Sequence, residues 1–332
     1  MLALGKLLEL TLAGREPCEK VQLTPRGVKL HWLADGALLV SPPPGQDQGL
    51  DLLLSAGIHG NELIPIHVLD RLVRALARDD VQPRARLLLL FANPAAMRRM
   101  VRQVEHDLNR LFRGEHADVW GGEAIRAAEL EALVSGFFSL PGRQRLHYDM
   151  HSAMRPSRLA QFAICPWSEG TQVSPVALTR LQGLAVEGVL LQRQASSTFS
   201  AMTATLHGAE AFTVELAEGK GESLPPAVLQ FEHGLISMVE GRESSTASNA
   251  PPQLLQISRE VIKRSPRFRL CVPADIENFA PLPLGSLLAE DDGMRWVVDE
   301  PGARILFPMP EVAEGQRAAL IVVPLDEFEP KQ

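Results

Sequence analysis

The stretch 241–253, Gly-Arg-Glu-Ser-Ser-Thr-Ala-Ser-Asn-Ala-Pro-Pro-Gln, most constrains the fold, because it has no apolar period and separates two different textures. Ser, Asn and Pro at this density read as a linker. Upstream, strand-like and helix-like segments alternate. Residues 28–40 read as a hairpin turning at Asp35-Gly36. Residues 51–55 read as a strand, and 62–78 as a helix with Leu69, Leu72, Val73 and Leu76 on one face. Residues 86–92 are a continuous apolar run, the kind buried on both faces of a sheet. An amphipathic helix over 123–138 follows, through Ile125, Ala128, Leu130, Leu133, Val134 and Phe137, and then a strand over 145–151. Ser174-Pro175 is an N-cap and first-turn pair for a helix reaching about Leu191. A strand over 212–216 and a helix over 226–240 complete this part. The alternation predicts an α/β layer architecture, here a mixed sheet flanked by helices. Downstream, short Val, Ile, Leu and Phe runs at 268–272, 286–288, 295–298, 304–307 and 319–323 lie between Pro and Gly turns and predict an all-β module. The expected organisation is an α/β domain over 1–242, a linker over 243–253 and a β-rich domain over 254–332.

Composition narrows the partners. The chain has 332 residues, 45% hydrophobic and 22% charged, with a formal net charge of −7. That balance excludes a general surface for nucleic acid or acidic membrane. A local cationic pocket is still available among 33 Lys plus Arg. Cys18, Cys165 and Cys271 are far apart and odd in number, which suits a reducing cytosol and suggests no disulfide framework. The first ten residues are interrupted by Lys6 and Glu9 and lack a cleavage pattern, so no signal peptide is expected. No apolar run approaches the roughly 20 residues that span a bilayer. A soluble, cytoplasmic protein is expected.

The chemistry concentrates in four places. In Gly57-Ile58-His59-Gly60-Asn61-Glu62 an imidazole and a carboxylate stand three residues apart, directly after the apolar run 52–54. A strand end turning into a helix can aim both at one metal ion, and zinc accepts such an N/O pair with a third protein ligand and a water. Gly57 and Gly60 allow a sharp turn and close approach. Without a metal, the same residues would be a strand-end histidine and a helix-capping carboxylate. The third ligand candidate is His151, at the end of the predicted strand; His147, deeper in it, competes. Asp149 shares their face and could hydrogen-bond a ligating imidazole. In the segment 102–112, Arg102 could polarise a carbonyl, while Asn109 and Arg110 could grip a carboxylate. Glu215 lies inside the apolar strand 212–216, where a carboxylate is costly unless paired or used.

In sequence order the chain shows His-x-x-Glu, Arg-x6-Asn-Arg, Asp-x-His and a Glu in a late strand. That order resembles the zinc carboxypeptidase superfamily and, within it, the succinylglutamate desuccinylase/aspartoacylase family. The resemblance is close over 57–62, 93–96, 102–112, 149–153 and 214–216, and extends to Glu277-Asn278-Phe279-Ala280-Pro281-Leu282-Pro283 and Phe307-Pro308. It implies one Zn2+ per subunit held by His59, Glu62 and His151. It implies Glu215 as general base and later acid, Arg102 as the residue that polarises the amide carbonyl, and Asn109 with Arg110 as the carboxylate grip. The implied fold is a mixed sheet flanked by helices, followed by a β-rich domain. The implied reaction is hydrolysis of an N-acyl amino acid. In the desuccinylase branch this is N2-succinylglutamate, in the last step of arginine degradation by the succinyltransferase route.

Such a substrate carries three carboxylates, so more cations are needed. Arg155 and Arg158, just after His151, are proposed on proximity alone. The peptide-cleaving carboxypeptidases use a late tyrosine, whereas the one tyrosine here, Tyr148, lies inside a predicted strand. His207 is weighed as a pocket residue. Aspartoacylase-like deacylation of another N-acyl amino acid is the alternative, and a zinc-binding protein without catalysis a third reading. The strand edges of the β-rich domain are compatible with a homo-oligomer.

Overall fold

The computed structural model describes residues 2–153, 155–167, 173–219, 224–243 and 250–325. In chain order the first part contains strands β1 (Val21–Leu23), β2 (Lys29–Ala34), β3 (Ala37–Ser41), β4 (Leu50–Ala56), β5 (Arg86–Phe91), β6 (Gln144–Ser152), β7 (Phe162–Cys165), β8 (Gly188–Leu191) and β9 (Glu210–Leu216). Its helices are α1 (Leu7–Ala13), α2 (Leu63–Ala77), α3 (Pro94–Arg99), α4 (Gly122–Phe137), α5 (Pro175–Gly183), α6 (Phe199–His207) and α7 (Pro226–Val239). The second part is β10 (Gln253–Ile262), β11 (Arg269–Leu270), β12 (Ala280–Pro281), β13 (Leu287–Asp291), β14 (Met294–Val297), β15 (Arg304–Leu306) and β16 (Arg317–Pro324). The architecture is a mixed sheet with helices on both faces, followed by a β-rich C-terminal part.

Thirteen strands form one sheet in the order β1-β2-β3-β5-β4-β6-β9-β7-β8-β10-β16-β15-β12, and β11-β13-β14 form a small second one. At its centre β5, β4, β6 and β9 run parallel, with Ser55 opposite Asp149 and His151 opposite Glu215. Strands buried on both faces need apolar residues on both, as β4 and β5 have. Alternation then sorts them. Leu52, Leu54, Leu146, Tyr148 and Met150 enter one core layer with residues of α2 and α7, while Leu53 and residues of α4 and α6 form the layer on the opposite face. Ser55, His147, Asp149 and His151 take the second face by the same period of two.

Three sequence expectations change. The helix beginning at Ser174-Pro175 is capped as expected, with Ser174 Oγ accepting from the Ala177 N–H at 3.0 Å. It ends at Gly183 rather than near Leu191, because Ala185 turns the chain at φ 56° and 188–191 pairs as β8. The apolar spacing of Leu184, Val186, Val189 and Leu190 serves a turn and a strand, all of it buried. On α4, Ile125 is 75% exposed, whereas Glu123 and Arg126 point inward.

The third change concerns the boundary. Much of the expected linker, 244–249, lies outside the described residues, but Gln253 already starts β10. This ten-residue strand pairs parallel with β8 and antiparallel with β16, so the C-terminal part continues the sheet of the first. Two register shifts, at Ile257/Arg259 and Val261/Ile262, break its alternation and hide it from a period-two reading. The seam is apolar, with Phe162, Leu190, Leu255, Phe279, Leu306, Leu320 and Val322 packed together.

Candidate active site

At the end of β4 the backbone turns at Gly57, with φ 71°. Gly60 then passes so close to α3 that a Cβ there would stand 2.2 Å from the Ala96 carbonyl carbon. Only glycine fits such an approach. Asn93 ties the turn from the other side. Its N–H donates to the Gly57 carbonyl at 3.0 Å, and its side-chain oxygen accepts the Ala96 N–H at 3.2 Å. The turn delivers His59 and Glu62 to the C-terminal edge of the parallel strands. Glu62 occupies the N-cap position of α2 but makes no capping hydrogen bond there. Its carboxylate faces two imidazoles instead.

His59 Nδ1 lies 2.7 Å from Glu62 Oε1, and His151 Nδ1 lies 3.0 Å from Glu62 Oε2. The rings cross edge-on with centroids 5.0 Å apart. All three residues are buried, and one ligand atom from each lies within 4.8 Å of the others, which makes them a group able to hold a metal ion. The far nitrogens are also engaged: His59 Nε2 is 3.1 Å from Asp107 Oδ1, and His151 Nε2 is 3.0 Å from Asp149 Oδ2. Each imidazole is thus backed by an aspartate and turns its Nδ1 toward the common point, the arrangement that orients metal-ligating histidines.

The charges reinforce this. Burial raises the Glu62 carboxyl, but the His151 and His59 imidazoles hold it well below the ordinary carboxylate range. Burial likewise raises Asp107 and Asp149, and the histidines they face pull both below their usual values. Burial lowers His151, yet Asp149 and Glu62 push it well above an ordinary histidine. Three carboxylates around two imidazoles favour added positive charge, so the donor set fits a divalent cation.

Glu215 sits beside His151 on β9, 9% exposed, with no hydrogen bond or ion pair among the described residues. Burial pushes its carboxyl up to about 7, His151 opposing and Glu62 adding to the rise. Arg102 is half-exposed at the mouth. It reaches Asp107 Oδ2 at 3.3 Å and Glu62 Oε1 at 3.7 Å, and its carbonyl accepts the Gly60 N–H. Asn109 is buried, and its side-chain oxygen accepts the Phe199 N–H at 2.8 Å, which leaves its amide NH2 free to donate. Arg110 is exposed, with Nη1 donating to the Asn109 carbonyl and no ion pair among the described residues.

The other expected residues have partners of their own. Arg155 Nη1 donates to the carbonyls of Ala274 and Ile276 at 2.7 and 3.1 Å, and Arg158 pairs with Glu277 at 3.4 Å. Both therefore stitch the seam to the C-terminal part, where Asn278 also donates to the Pro156 carbonyl. His207 is remote: it stands at the opposite end of β6, its carbonyl held by Arg145. Tyr148 points into the other core layer, fully buried. His147 is buried below His151, facing Ser55 and Thr203 rather than the cluster.

Two contributors escape a reading of the sequence. Asp107 lies within the segment that carries Arg102 and Asn109, yet its partner is 48 positions away. Glu123, from α4, accepts the N–H groups of Val104 and Glu105 at 2.7 and 3.4 Å and so shapes the loop bearing Arg102 and Asp107. Only the tertiary fold reveals it.

Comparison with known proteins places the chain among relatives over nearly its whole length. The model of the succinylglutamate desuccinylase/aspartoacylase catalytic domain matches residues 48–240, and that of the barrel-sandwich hybrid domain of the same family matches residues 250–325. A succinylglutamate desuccinylase of Pseudomonas fluorescens is 54% identical over 329 residues, covering 98% of both chains. The solved succinylglutamate desuccinylase of Vibrio cholerae superposes with a TM-score of 0.88 at 28% identity, covering 98% of this chain and 97% of that one. The enzyme of the same name from Chromobacterium violaceum gives 0.84 at 32%, covering 98% of each.

Proposed function

The chain belongs to the succinylglutamate desuccinylase/aspartoacylase family, and from that premise we propose that it hydrolyses the amide bond of N2-succinyl-L-glutamate to succinate and L-glutamate. The observation that carries the chemistry is the convergence of His59 Nδ1 and His151 Nδ1 on the two oxygens of Glu62, beside Glu215, which has no ion pair among the described residues. We assign zinc to that donor set, held by His59, Glu62 and His151. When bound, zinc supplies a Lewis acid that polarises a carbonyl and lowers the pKa of water toward about 7.

The remaining work falls to side chains. The raised Glu215 carboxyl is matched to neutral pH, so it can take a proton from the attacking water and return it to the leaving amine. Arg102, half-exposed and paired only at 3.3 and 3.7 Å, is available to donate to the amide oxygen as charge develops there. The Asn109 NH2 and the Arg110 guanidinium, which has no ion pair among the described residues, bind a substrate carboxylate. In this reading 1–242 carries the chemistry, 243–253 joins the two parts, and the C-terminal part over 254–332 buttresses the loop after His151 through Arg155 and Arg158. The reaction would close arginine degradation by the succinyltransferase route. Three unpaired cysteines suit the cytoplasm for it. No helix among the described residues is long and apolar enough to cross a membrane.

The test is release of L-glutamate from N2-succinyl-L-glutamate, run beside N-acetyl-L-aspartate, after chelation and again after zinc is returned. Zinc-restored turnover of the succinyl compound alone supports the proposal. Preference for the acetyl compound, or turnover indifferent to the chelator, contradicts it.

A further inference from the structure

His147 is a histidine that the mechanism above leaves unused. It has no exposed surface, yet both ring nitrogens are engaged. Nε2 lies 2.9 Å from Ser55 Oγ, and Nδ1 lies 2.8 Å from Thr203 Oγ1. Ser55 Oγ lies 2.6 Å from Asp149 Oδ1, and Asp149 Oδ2 lies 3.0 Å from His151 Nε2. An unbroken hydrogen-bonded chain therefore runs from α6, through two strands, to the back of a candidate metal ligand. Cross-strand register builds it, since Ser55 on β4 stands opposite Asp149 on β6. A buried polar chain in a core layer of Leu and Phe is costly unless its members satisfy one another, and an apolar side chain would pack the place of His147 more simply.

The direction of each bond follows from counting hydrogens. His151 can offer Nδ1 to a metal only if its proton is on Nε2, where Asp149 Oδ2 accepts it. Asp149 is a carboxylate and can only accept. The single Ser55 hydrogen must therefore go to Asp149 Oδ1. Ser55 Oγ can then only accept from His147, so the proton of His147 is on Nε2. Thr203 supplies its one hydrogen either to His147 Nδ1 or to the Ser200 carbonyl at 2.9 Å. The competing arrangement puts the His151 proton on Nδ1, facing Glu62 Oε2, which removes the lone pair the metal needs.

We propose that His147 is a positioning residue for the metal: its Nε2–H, relayed by Ser55 and Asp149, fixes the proton of His151 on Nε2 and presents the Nδ1 lone pair to the ion. The proposal rests on the reading that His151 is a ligand. It extends the aspartate backing of that histidine by two further residues, one on a neighbouring strand.

The test is zinc affinity of the full chain, by competition with a chromophoric chelator, together with imidazole nitrogen–proton NMR correlations on the zinc-loaded protein. Ser55→Ala and His147→Phe should each weaken zinc binding about 10- to 100-fold. The double variant should be no weaker than the worse single one, because both break the same relay. His147→Gln places an amide NH2 near the Nε2 position and should stay within about threefold of the wild type. The NMR correlations should show His147 with its proton on Nε2. Should His147→Phe fail to fold, Ser55→Ala, which removes one oxygen, and the His147 signal still decide. Wild-type zinc affinity in Ser55→Ala, or a His147 proton found on Nδ1 alone, overturns the proposal. His151→Ala separates the two readings. If that variant loses zinc while Ser55→Ala does not, the relay is wrong and the ligand stands; if it keeps wild-type affinity, the ligand assignment falls and the relay with it.

Discussion

The two halves of the site hold equivalent histidines by unequal means. His59 stands on a turn, and its backing carboxylate, Asp107, belongs to a loop where it is partly exposed and shared with Arg102. His151 stands at the end of a central strand, and its carboxylate, Asp149, has no exposed surface and is locked by Ser55. The loop half carries the groups assigned to substrate: Arg102, Asn109 and Arg110. The strand half carries the groups that need a fixed position, His151 and Glu215. On the proposed roles the contrast is a division of labour, in which His151 and Glu215 are anchored in the sheet and substrate is met by a loop braced from outside it by contacts such as those of Glu123 and the N-terminus of α6.

The aspartates test that division most severely. Asp149→Ala should cost about 3–5 kcal/mol of folding stability, because it leaves His151 buried without its partner. Asp107→Ala, at the partly exposed loop, should cost less, about 1.5–3 kcal/mol, through the lost His59 partner and the lost hydrogen bond to the Asn109 N–H. Both should weaken zinc. Urea unfolding of the two variants checks this, and equal losses would erase the distinction between the halves.

Within the loop half, Arg102 and Arg110 should separate kinetically. Arg102→Ala should lower kcat about 10²- to 10³-fold with little change in KM, as expected for a donor whose partner charge appears in the transition state. Arg110→Ala should act on KM, costing about 1.5–3 kcal/mol in kcat/KM for a lost charged hydrogen bond. Steady-state kinetics of zinc-loaded variants decides, and a KM effect at Arg102 would reverse the two roles.

The strand half should also leave a mark on pH dependence. Burial pushes His147 down to about 4. A histidine whose folded value lies below its unfolded one gives stability that is present above about 6.5 and lost as pH falls through 4. Between those values wild-type stability should therefore fall on acidification more steeply than that of His147→Gln, by up to about 1.4 kcal/mol per pH unit. Parallel melting profiles of the zinc-loaded proteins would show that His147 does not change ionisation on unfolding. The smallest effect is expected at the seam. Arg155→Ala should lower stability by about 1 kcal/mol through its two carbonyl contacts, leaving KM within about twofold. A large rise in KM would return Arg155 to the substrate pocket.

What the sequence makes legible follows the range of each interaction. His59 and Glu62 are three residues apart between two glycines, and His151 ends a strand whose period of two puts Asp149 on the same face. Such local patterns need no tertiary knowledge. Asp107 beside His59, Ser55 bonded to His147, and Glu123 under the loop depend on register and helix packing across 19 to 92 positions, so no spacing rule finds them. The same limit applies to the fold. Helix 62–78 and strand 145–151 stand out by period, whereas β10 is concealed by its two register shifts and β8 by an apolar run that also suits a helix. The partners of Arg155 are hidden for a related reason: nearness in sequence to His151 does not show that its guanidinium meets the carbonyls of Ala274 and Ile276.

The most direct test of the account is Glu215→Gln, with zinc content and glutamate release measured on the same preparation. The amide keeps the shape of the side chain and removes its proton chemistry. Full zinc occupancy with release slowed about 10²- to 10⁴-fold is the predicted result. Zinc-loaded Glu215→Gln turning over within a few-fold of the wild type would contradict it.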